Sequence, residues 1–317
     1  MGIKVFIDGA HGTTGLEIRE RLKSRPEFDL ILLENRQRKN TKLRQEAFLT
    51  ADIAILCLPD EAAIEAMSLV KSSNTRIIDA SSAHRISDGW IYGFPEIIGH
   101  QRISEAKFVS NPGCYPTGFL TLTVPLIKAK VLARNSRLFC NGISGYSGGG
   151  KSLIKRFSEE NAPALRSYSL SGMHRHLAEM KKYSGLASAP LFTPTVVPAF
   201  RGMIVEVPLL IDQHNGNYCF DDIAANLSEF YKNSPLISVE TNTPDEDEII
   251  LQKNEMGWDG ITVHVLRQKS ENQIRLIAKL DNLGKGAAGA AIQNLNIMCG
   301  IAETEGLRIK KNYLPKI

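Results

Sequence analysis

What the chain lacks narrows its identity first. Its five cysteines, Cys57, Cys114, Cys140, Cys219 and Cys299, are odd in number and scattered, and no two show CxxC spacing. That argues against a disulfide framework or a zinc ribbon, leaves no metal to expect, and fits a reducing compartment. No apolar run approaches the roughly 18 residues of a membrane span. The opening MGIKVFIDGAHG enters a strand-like segment with neither a signal-peptide layout nor an Arg/Ser-rich transit stretch. A cytoplasmic protein with no membrane partner is therefore expected. Charge of one sign is not in excess: 38 basic against 34 acidic side chains leave +4, which demands no nucleic acid partner. Repeats and low-complexity segments are absent too.

What remains is an ordinary globular composition, 43% apolar and 23% charged, over 317 residues. That length suggests about two domains. Ile3 to Asp8 reads as a buried strand, glycine-rich GAHGTTG follows, and Ile18 and Leu22 share one helical face in LEIRERLKS. FDLILLE (Phe28 to Glu34) and DIAILCL (ending at Leu58) read as further strands. Pro59 breaks the second, and Asp60 is a candidate N-cap for a helix carrying Ala63, Ile64, Met67 and Val70. RIIDAS from Arg76 is a fourth strand, and KFVS leads into NPGCYPT at Asn111 to Thr117. This alternation predicts an α/β domain with a parallel sheet and helices on both faces. The chain beyond is less regular: a glycine cluster at Gly145 to Gly150, the proline-punctuated strands of FTPTVVPAFRGMIVEVPLL, an acidic loop at Asp245 to Glu248, and a helix candidate after Gly284.

Gly9, Gly12 and Gly15 form G-x-x-G-x-x-G between a strand and a helix, with Thr13 and Thr14 inside the motif. A dinucleotide needs glycine there because the turn is tight and a side chain would hold the pyrophosphate off the backbone N–H groups and the positive helix end. In the ENRQRKN run after the second strand, Glu34 speaks for NAD, whereas Arg36, Arg38 and Lys39 speak for the extra phosphate of NADP. Three cations favour NADP.

Cys114 alone among the cysteines has a nucleophile's surroundings. The other four sit in largely apolar contexts, where cysteine packs as a small hydrophobe. Cys114 precedes Tyr115-Pro116, which reads as the first turn of a helix, and the positive end of a helix favours thiolate. The alternative is a buried structural thiol. His174-Arg175-His176 supplies candidate acid/base groups, with His176 favoured and His174 in reserve. If both lay on one helix, neighbours two apart would point about 200° away from each other and only one would reach the sulfur. Arg85, Arg175 and Arg201 are candidates to hold a substrate phosphate or carboxylate. GYSGGGKS (Gly145 to Ser152) matches the P-loop pattern of a nucleotide triphosphatase. No clear later strand ends in a Mg²⁺-binding aspartate, so a flexible loop whose backbone approaches a cofactor is preferred.

Taken together, GAHGTTG, DASSAHR, NPGCYPT, GISGYSGGG, HRH, FTPTVVPAFRGM and NLGKGAAGAAIQN resemble the N-acetyl-gamma-glutamyl-phosphate reductases of arginine biosynthesis, in their shorter type. The likeness spans nearly the whole chain. It implies a Rossmann-type nucleotide domain over 1–114 and 285–317. An α+β substrate and dimerisation domain with an antiparallel sheet would occupy 115–284. The family's phosphate-binding glycines match Gly9, Gly12 and Gly15, its nucleophile Cys114, and its histidine base lies within His174-Arg175-His176. Ser144 and Gly145, with Asn282 and Gly284, would lie near the nicotinamide. The implied reaction is NADPH-dependent reduction of a small acyl phosphate through a Cys114 thioester, with Asn111 and the Cys114 N–H at the oxyanion, in a homodimer or homotetramer. One departure is HRHLAE where longer members carry HRHTPE. An aspartate-semialdehyde-type reductase shares every step. A P-loop triphosphatase and a non-catalytic NADP-binding sensor are rivals of other classes.

Overall fold

The structure, a computed structural model, describes residues 2–70, 74–210, 219–241, 247–268 and 273–309. Of the acidic loop expected at Asp245 to Glu248, the first two residues lie outside this set. The chain divides into two compact units, Met1–Pro112 with Ala287–Leu307, and Gly113–Gly286 with the residues from Arg308 onward.

The first unit opens with β1 (Ile3–Asp8), α1 (Thr13–Leu22), β2 (Phe28–Ile31), α2 (Thr41–Thr50), β3 (Ile53–Leu56), α3 (Asp60–Val70) and β4 (Arg76–Asp79). It continues through β5 (Ile91–Tyr92), α4 (Pro95–Ile98), α5 (His100–Ser104) and β6 (Phe108–Ser110). Its strands lie in the order β2-β1-β3-β4-β6-β5, and every pairing is parallel. Parallel neighbours need crossovers, which the helices supply, and a strand covered on both faces reads as a continuous apolar run, as IAIL of β3 does. Asp60 does not cap α3 from outside. It is the helix's first residue, and its carboxylate accepts from Ser82 N–H at 2.8 Å and Ser82 Oγ at 2.6 Å. The strand at Phe28 ends at Ile31, three residues before Glu34.

The second unit contains α6 (Cys114–Lys128), β7 (Phe139–Gly145), α7 (Gly150–Ser158), β8 (Arg166–Ser167), α8 (His176–Ser184), β9 (Leu191–Val197) and β10 (Met203–Leu210). After them come α9 (Phe220–Tyr231), β11 (Ile237–Glu240), β12 (Ile261–Gln268) and β13 (Gln273–Leu280). The sheet runs β11-β12-β13-β10-β7-β9-β8. It is mixed rather than antiparallel throughout: β7 pairs with β9, and β11 with β12, in parallel. The chain between β7 and β9, through α7 and α8, is long enough for such a crossover. Helix α6 is apolar on nearly every side and lies so close to the sheet that a Cβ on Gly118 would sit 2.6 Å from Val205 Cγ2. Pro125, inside α6, cannot donate to the Thr121 carbonyl, and the Tyr231 hydroxyl of α9 donates to it instead at 2.9 Å.

The last helix, α10 (Gly289–Met298), belongs to the first unit. Its Ala291, Ile292 and Leu295 pack with Val5, Ile7, Ile55 and Ile78 of the parallel sheet.

Candidate active site

In the first unit the glycine motif fills the turn from β1 to α1. Gly9 has φ of +90°, and a Cβ there would fall 2.3 Å from the Cys57 carbonyl oxygen; one on Gly15 would fall 2.3 Å from the Gly9 oxygen. These two glycines let the backbone fold on itself. Gly12 is the N-cap of α1, with no side-chain cap hydrogen bond, and a Cβ there would meet nothing nearer than 3.5 Å. The helix thus presents an uncapped N-terminus with Thr13 and Thr14 in its first turn, which fits a dinucleotide pyrophosphate. Arg36 is 89% exposed beside Glu34 at 3.3 Å, and Arg38 is exposed in the same turn. Exposed cations in that position fit an added phosphate.

Asn111 is fixed within this unit by all four of its polar groups. Its N–H donates to Asp79 O at 2.7 Å, and its carbonyl accepts from Arg85 Nε at 2.9 Å. Its Nδ2 donates to Ala287 O at 2.9 Å, and its Oδ1 accepts from Asn294 Nδ2 at 3.1 Å. Asn111 and Arg85, expected at the oxyanion and at a substrate anion, therefore direct these atoms to the turn itself. Asp79 accepts from Ser81 and lies 2.6 Å from His84 Nδ1, holding the DASSAHR loop.

In the second unit Cys114 is the first residue of α6, half-buried, with Gly113 as an N-cap lacking a side-chain hydrogen bond. The N–H of Gly113 donates to Oε1 of the buried Glu179 at 2.7 Å. Pro116 falls in the first turn, where no donor is needed. A Cβ on Gly286 would come within 2.8 Å of Cys114 Cβ, so Gly286 lies against the start of α6. Elsewhere burial pushes the Cys57 and Cys140 thiols far up and that of Cys299 to about 11, which makes them inert packing groups.

The two histidines stand together, against the expectation from helical spacing. Helix α8 starts at His176, so His174 precedes it and is not bound to its 100° step. The ring centroids are 4.7 Å apart, and Tyr115 lies 6.1 Å from His174 and 5.9 Å from His176. His176 N–H donates to His174 Nδ1 at 3.1 Å, and His174 Nε2 is 3.2 Å from Tyr168 Oη. Burial, aided by the Arg175 charge, pulls the His174 pKa down to about 4. Burial also raises both phenols: Tyr115, with further push from Tyr168 and Cys114, and Tyr168, with further push from Cys114. The Cys114 sulfur is thus electrostatically within reach of two neutral phenols. The Tyr115 ring fits only because Gly142 has no side chain; a Cβ there would meet the ring at 2.5 Å.

Arg175 is exposed at the N-cap of α8, and Arg201 pairs with buried Asp281, Nε to Oδ2, at 2.9 Å. Asn282, deeply buried, donates to Ser147 Oγ at 2.9 Å, and Ser144 Oγ donates to Gly145 O at 3.0 Å. Gly284 must be glycine, since a Cβ would fall 1.8 Å from Trp258 O. The P-loop look-alike is a short 3₁₀ turn, Tyr146–Gly149, leading into α7, and a Cβ on Gly149 would collide with Leu153. Tyr168 and Glu179 escaped the reading of the sequence. Glu179 had a signal, three residues after His176 and one turn along the same helix face. Tyr168 had none.

Two family models match the chain: semialdehyde dehydrogenase, NAD binding domain, over residues 4–106, and semialdehyde dehydrogenase, dimerisation domain, over residues 114–282. The chain belongs to the semialdehyde dehydrogenases. Its fold is similar to that of aspartate semialdehyde dehydrogenase II of Vibrio cholerae, with a TM-score of 0.71 at 19% identity over 95% of this chain and 99% of the other. Within that class it belongs to the N-acetyl-gamma-glutamyl-phosphate reductases. It is 43% identical to N-acetyl-gamma-glutamyl-phosphate reductase 2 of Nostoc sp. over 96% of this chain and 99% of that one. It is 42% identical to the Brucella ovis reductase of the same name, over 94% and 99%. The triphosphatase and sensor readings fall with this. Among the described residues no helix is long and apolar enough to cross a membrane, and no cluster of His, Cys, Asp and Glu is suited to a metal.

Proposed function

We propose that the chain reduces N-acetyl-gamma-glutamyl phosphate to N-acetylglutamate semialdehyde, with Cys114 as nucleophile. The observation that carries this is the placement of one half-buried thiol at the start of α6, among Tyr115, Tyr168, His174 and His176. The Cys114 thiolate attacks the acyl carbon, a C–S bond forms, and the C–O bond to phosphate breaks with its electron pair leaving on phosphate. NADPH, when bound, supplies the hydride that reduces the thioester carbon. His176 lends a proton to the tetrahedral oxygen and takes it back as the C–S bond breaks and thiolate is restored. The Cys114 N–H at the helix start stabilises that oxygen. His174 is kept neutral and holds Tyr168 in place, which leaves His176 as the acid/base.

Gly9, Gly12, Thr13, Thr14 and Gly15 hold the dinucleotide phosphates, Arg36 and Arg38 the added phosphate, and Ser144, Gly145, Asn282 and Gly284 the nicotinamide end. Arg175 and Arg201 serve the substrate's anions. The protein works as a homo-oligomer in the cytosol. Phe139, Leu191 and Leu210 support the assembly: 55%, 60% and 73% exposed, they lie on the sheet face turned away from α6.

The test is NADP- and phosphate-dependent oxidation of N-acetylglutamate semialdehyde. Cys114→Ala is expected to lose about a thousandfold or more in kcat. Acyl phosphate added without NADPH should leave an acyl mass on the Cys114 peptide. Activity that survives Cys114→Ala ends the proposal.

A further inference from the structure

We infer that Arg166, in the short strand β8, is a specificity residue that binds the substrate's carboxylate. This rests on the function proposed above, whose substrate carries a carboxylate at the end remote from its acyl phosphate. Arg166, Tyr168, His174 and Cys114 all belong to the second unit. Tyr168 N–H donates to Pro194 O at 3.3 Å, which continues the pairing of β8 with β9 by one residue. Residues two apart on such a stretch project to one side. The Arg166 guanidinium carbon accordingly lies over the Tyr168 ring, 4.4 Å from its centroid.

Tyr168 places that charge beside the reacting groups. Its hydroxyl is 3.2 Å from Nε2 of His174, whose ring centroid is 4.7 Å from that of His176. Burial and the Cys114 charge raise the Tyr168 pKa, and the Tyr115 hydrogen bond, Arg166 and Arg175 pull it back. Sulfur, phenol and both cations therefore share one electrostatic neighbourhood. Arg166 is half-buried, yet its guanidinium makes no hydrogen bond or ion pair with any described residue. Attraction to the ring holds the cation in place without supplying its N–H groups with an acceptor. The paired oxygens of a carboxylate supply one, through two parallel N–H bonds to the planar fork.

Of the substrate's two anions the carboxylate suits this place. The phosphate is bonded to the carbon that Cys114 attacks and must lie beside the sulfur. Arg166 is set off from the imidazoles by the breadth of the Tyr168 ring, since His174 meets its hydroxyl and Arg166 its face. An anion several bonds from the reacting carbon matches that offset.

The test compares N-acetylglutamate semialdehyde with its α-methyl ester, which lacks the anion, in the NADP- and phosphate-dependent oxidation. The wild type should favour the acid in KM by about ten- to hundredfold. Arg166→Ala should raise KM for the acid by that factor and abolish the preference. KM for the ester, KM for phosphate and kcat should all stay within about threefold, with Tm unchanged. Tyr168→Leu removes the ring that holds the guanidinium and should erode the same preference, whatever it does to kcat. Arg166→Lys, which keeps the charge but not the planar fork, should restore part of it. No preference in the wild type, or one that survives Arg166→Ala, overturns the inference. So does a rise in KM for phosphate alone, which assigns the arginine to the other anion. If Cys114→Ala stays active, the function itself fails, an outcome distinct from either.

Discussion

The backbone N–H of His176 donates to Nδ1 of His174 at 3.1 Å, and this bond decides the tautomer of His174. With Nδ1 accepting, the proton of the neutral ring must sit on Nε2, facing Tyr168 Oη at 3.2 Å. A cationic ring would lose that acceptor and be charged in a buried site beside Arg175.

Stability should therefore depend on pH through His174. Its folded pKa, about 4, lies below its ordinary value of 6.5, so the unfolded chain binds the extra proton between those values. The contribution is complete above 6.5 and is lost as pH falls toward 4. Urea unfolding of the wild type should weaken across that window more than that of His174→Gln. Parallel curves for the two proteins would remove His174 from the account.

Glu179 holds the turn before Cys114 through Gly113 N–H at 2.7 Å. Glu179→Ala leaves a buried donor without its acceptor and should cost about 1–3 kcal/mol in stability. Glu179→Gln keeps an acceptor oxygen and should recover most of that stability. If the bond also positions Cys114, kcat falls in the alanine variant with KM little changed. A stability loss with kcat intact would limit Glu179 to a structural role.

How much of this was legible depended on how local the cause was. β1 was readable at Ile3–Asp8, and the helix start at Cys114 was readable from Tyr115-Pro116, because short-range sterics and patterning set both. Asp60 had the identity of a cap, yet its carboxylate is taken by Ser82, twenty-two residues away. The pairing of His174 with His176 depended on where α8 begins, which a spacing argument cannot supply. Tyr168 reaches the site because β8 pairs antiparallel with β9, a contact without a local signature. The parallel β7–β9 pairing was hidden likewise, since period-2 patterning is blind to strand direction.

Cofactor choice should rest on Arg36 and Arg38. Exposed and positioned after β2, they compete with Glu34, which sits 3.3 Å from Arg36 and favours ribose hydroxyls. Arg36→Ala with Arg38→Ala should weaken NADPH binding by about ten- to hundredfold and leave NADH binding little changed. Titrating both nucleotides by fluorescence checks it. An unaltered ratio of affinities would place the selectivity elsewhere.

Arg76 ties α5 and α10 to the parallel sheet. It begins β4, and its guanidinium donates to Met298 O at 2.6 Å, Ser104 O at 2.5 Å and Ala106 O at 3.0 and 2.8 Å. These carbonyls lie at or just beyond the C-terminal ends of α10 and α5, where helix carbonyls lack intrahelical donors and carry partial negative charge. One planar cation with donors on three nitrogens answers several acceptors, whereas an ammonium is a single point charge. Arg76→Ala should cost about 2–4 kcal/mol by leaving partly buried carbonyls without donors. Arg76→Lys should recover less than half, because the lost geometry matters more than the charge. Urea unfolding measures both. A cost under about 0.5 kcal/mol for the alanine variant would mean that water serves these carbonyls as well as arginine does.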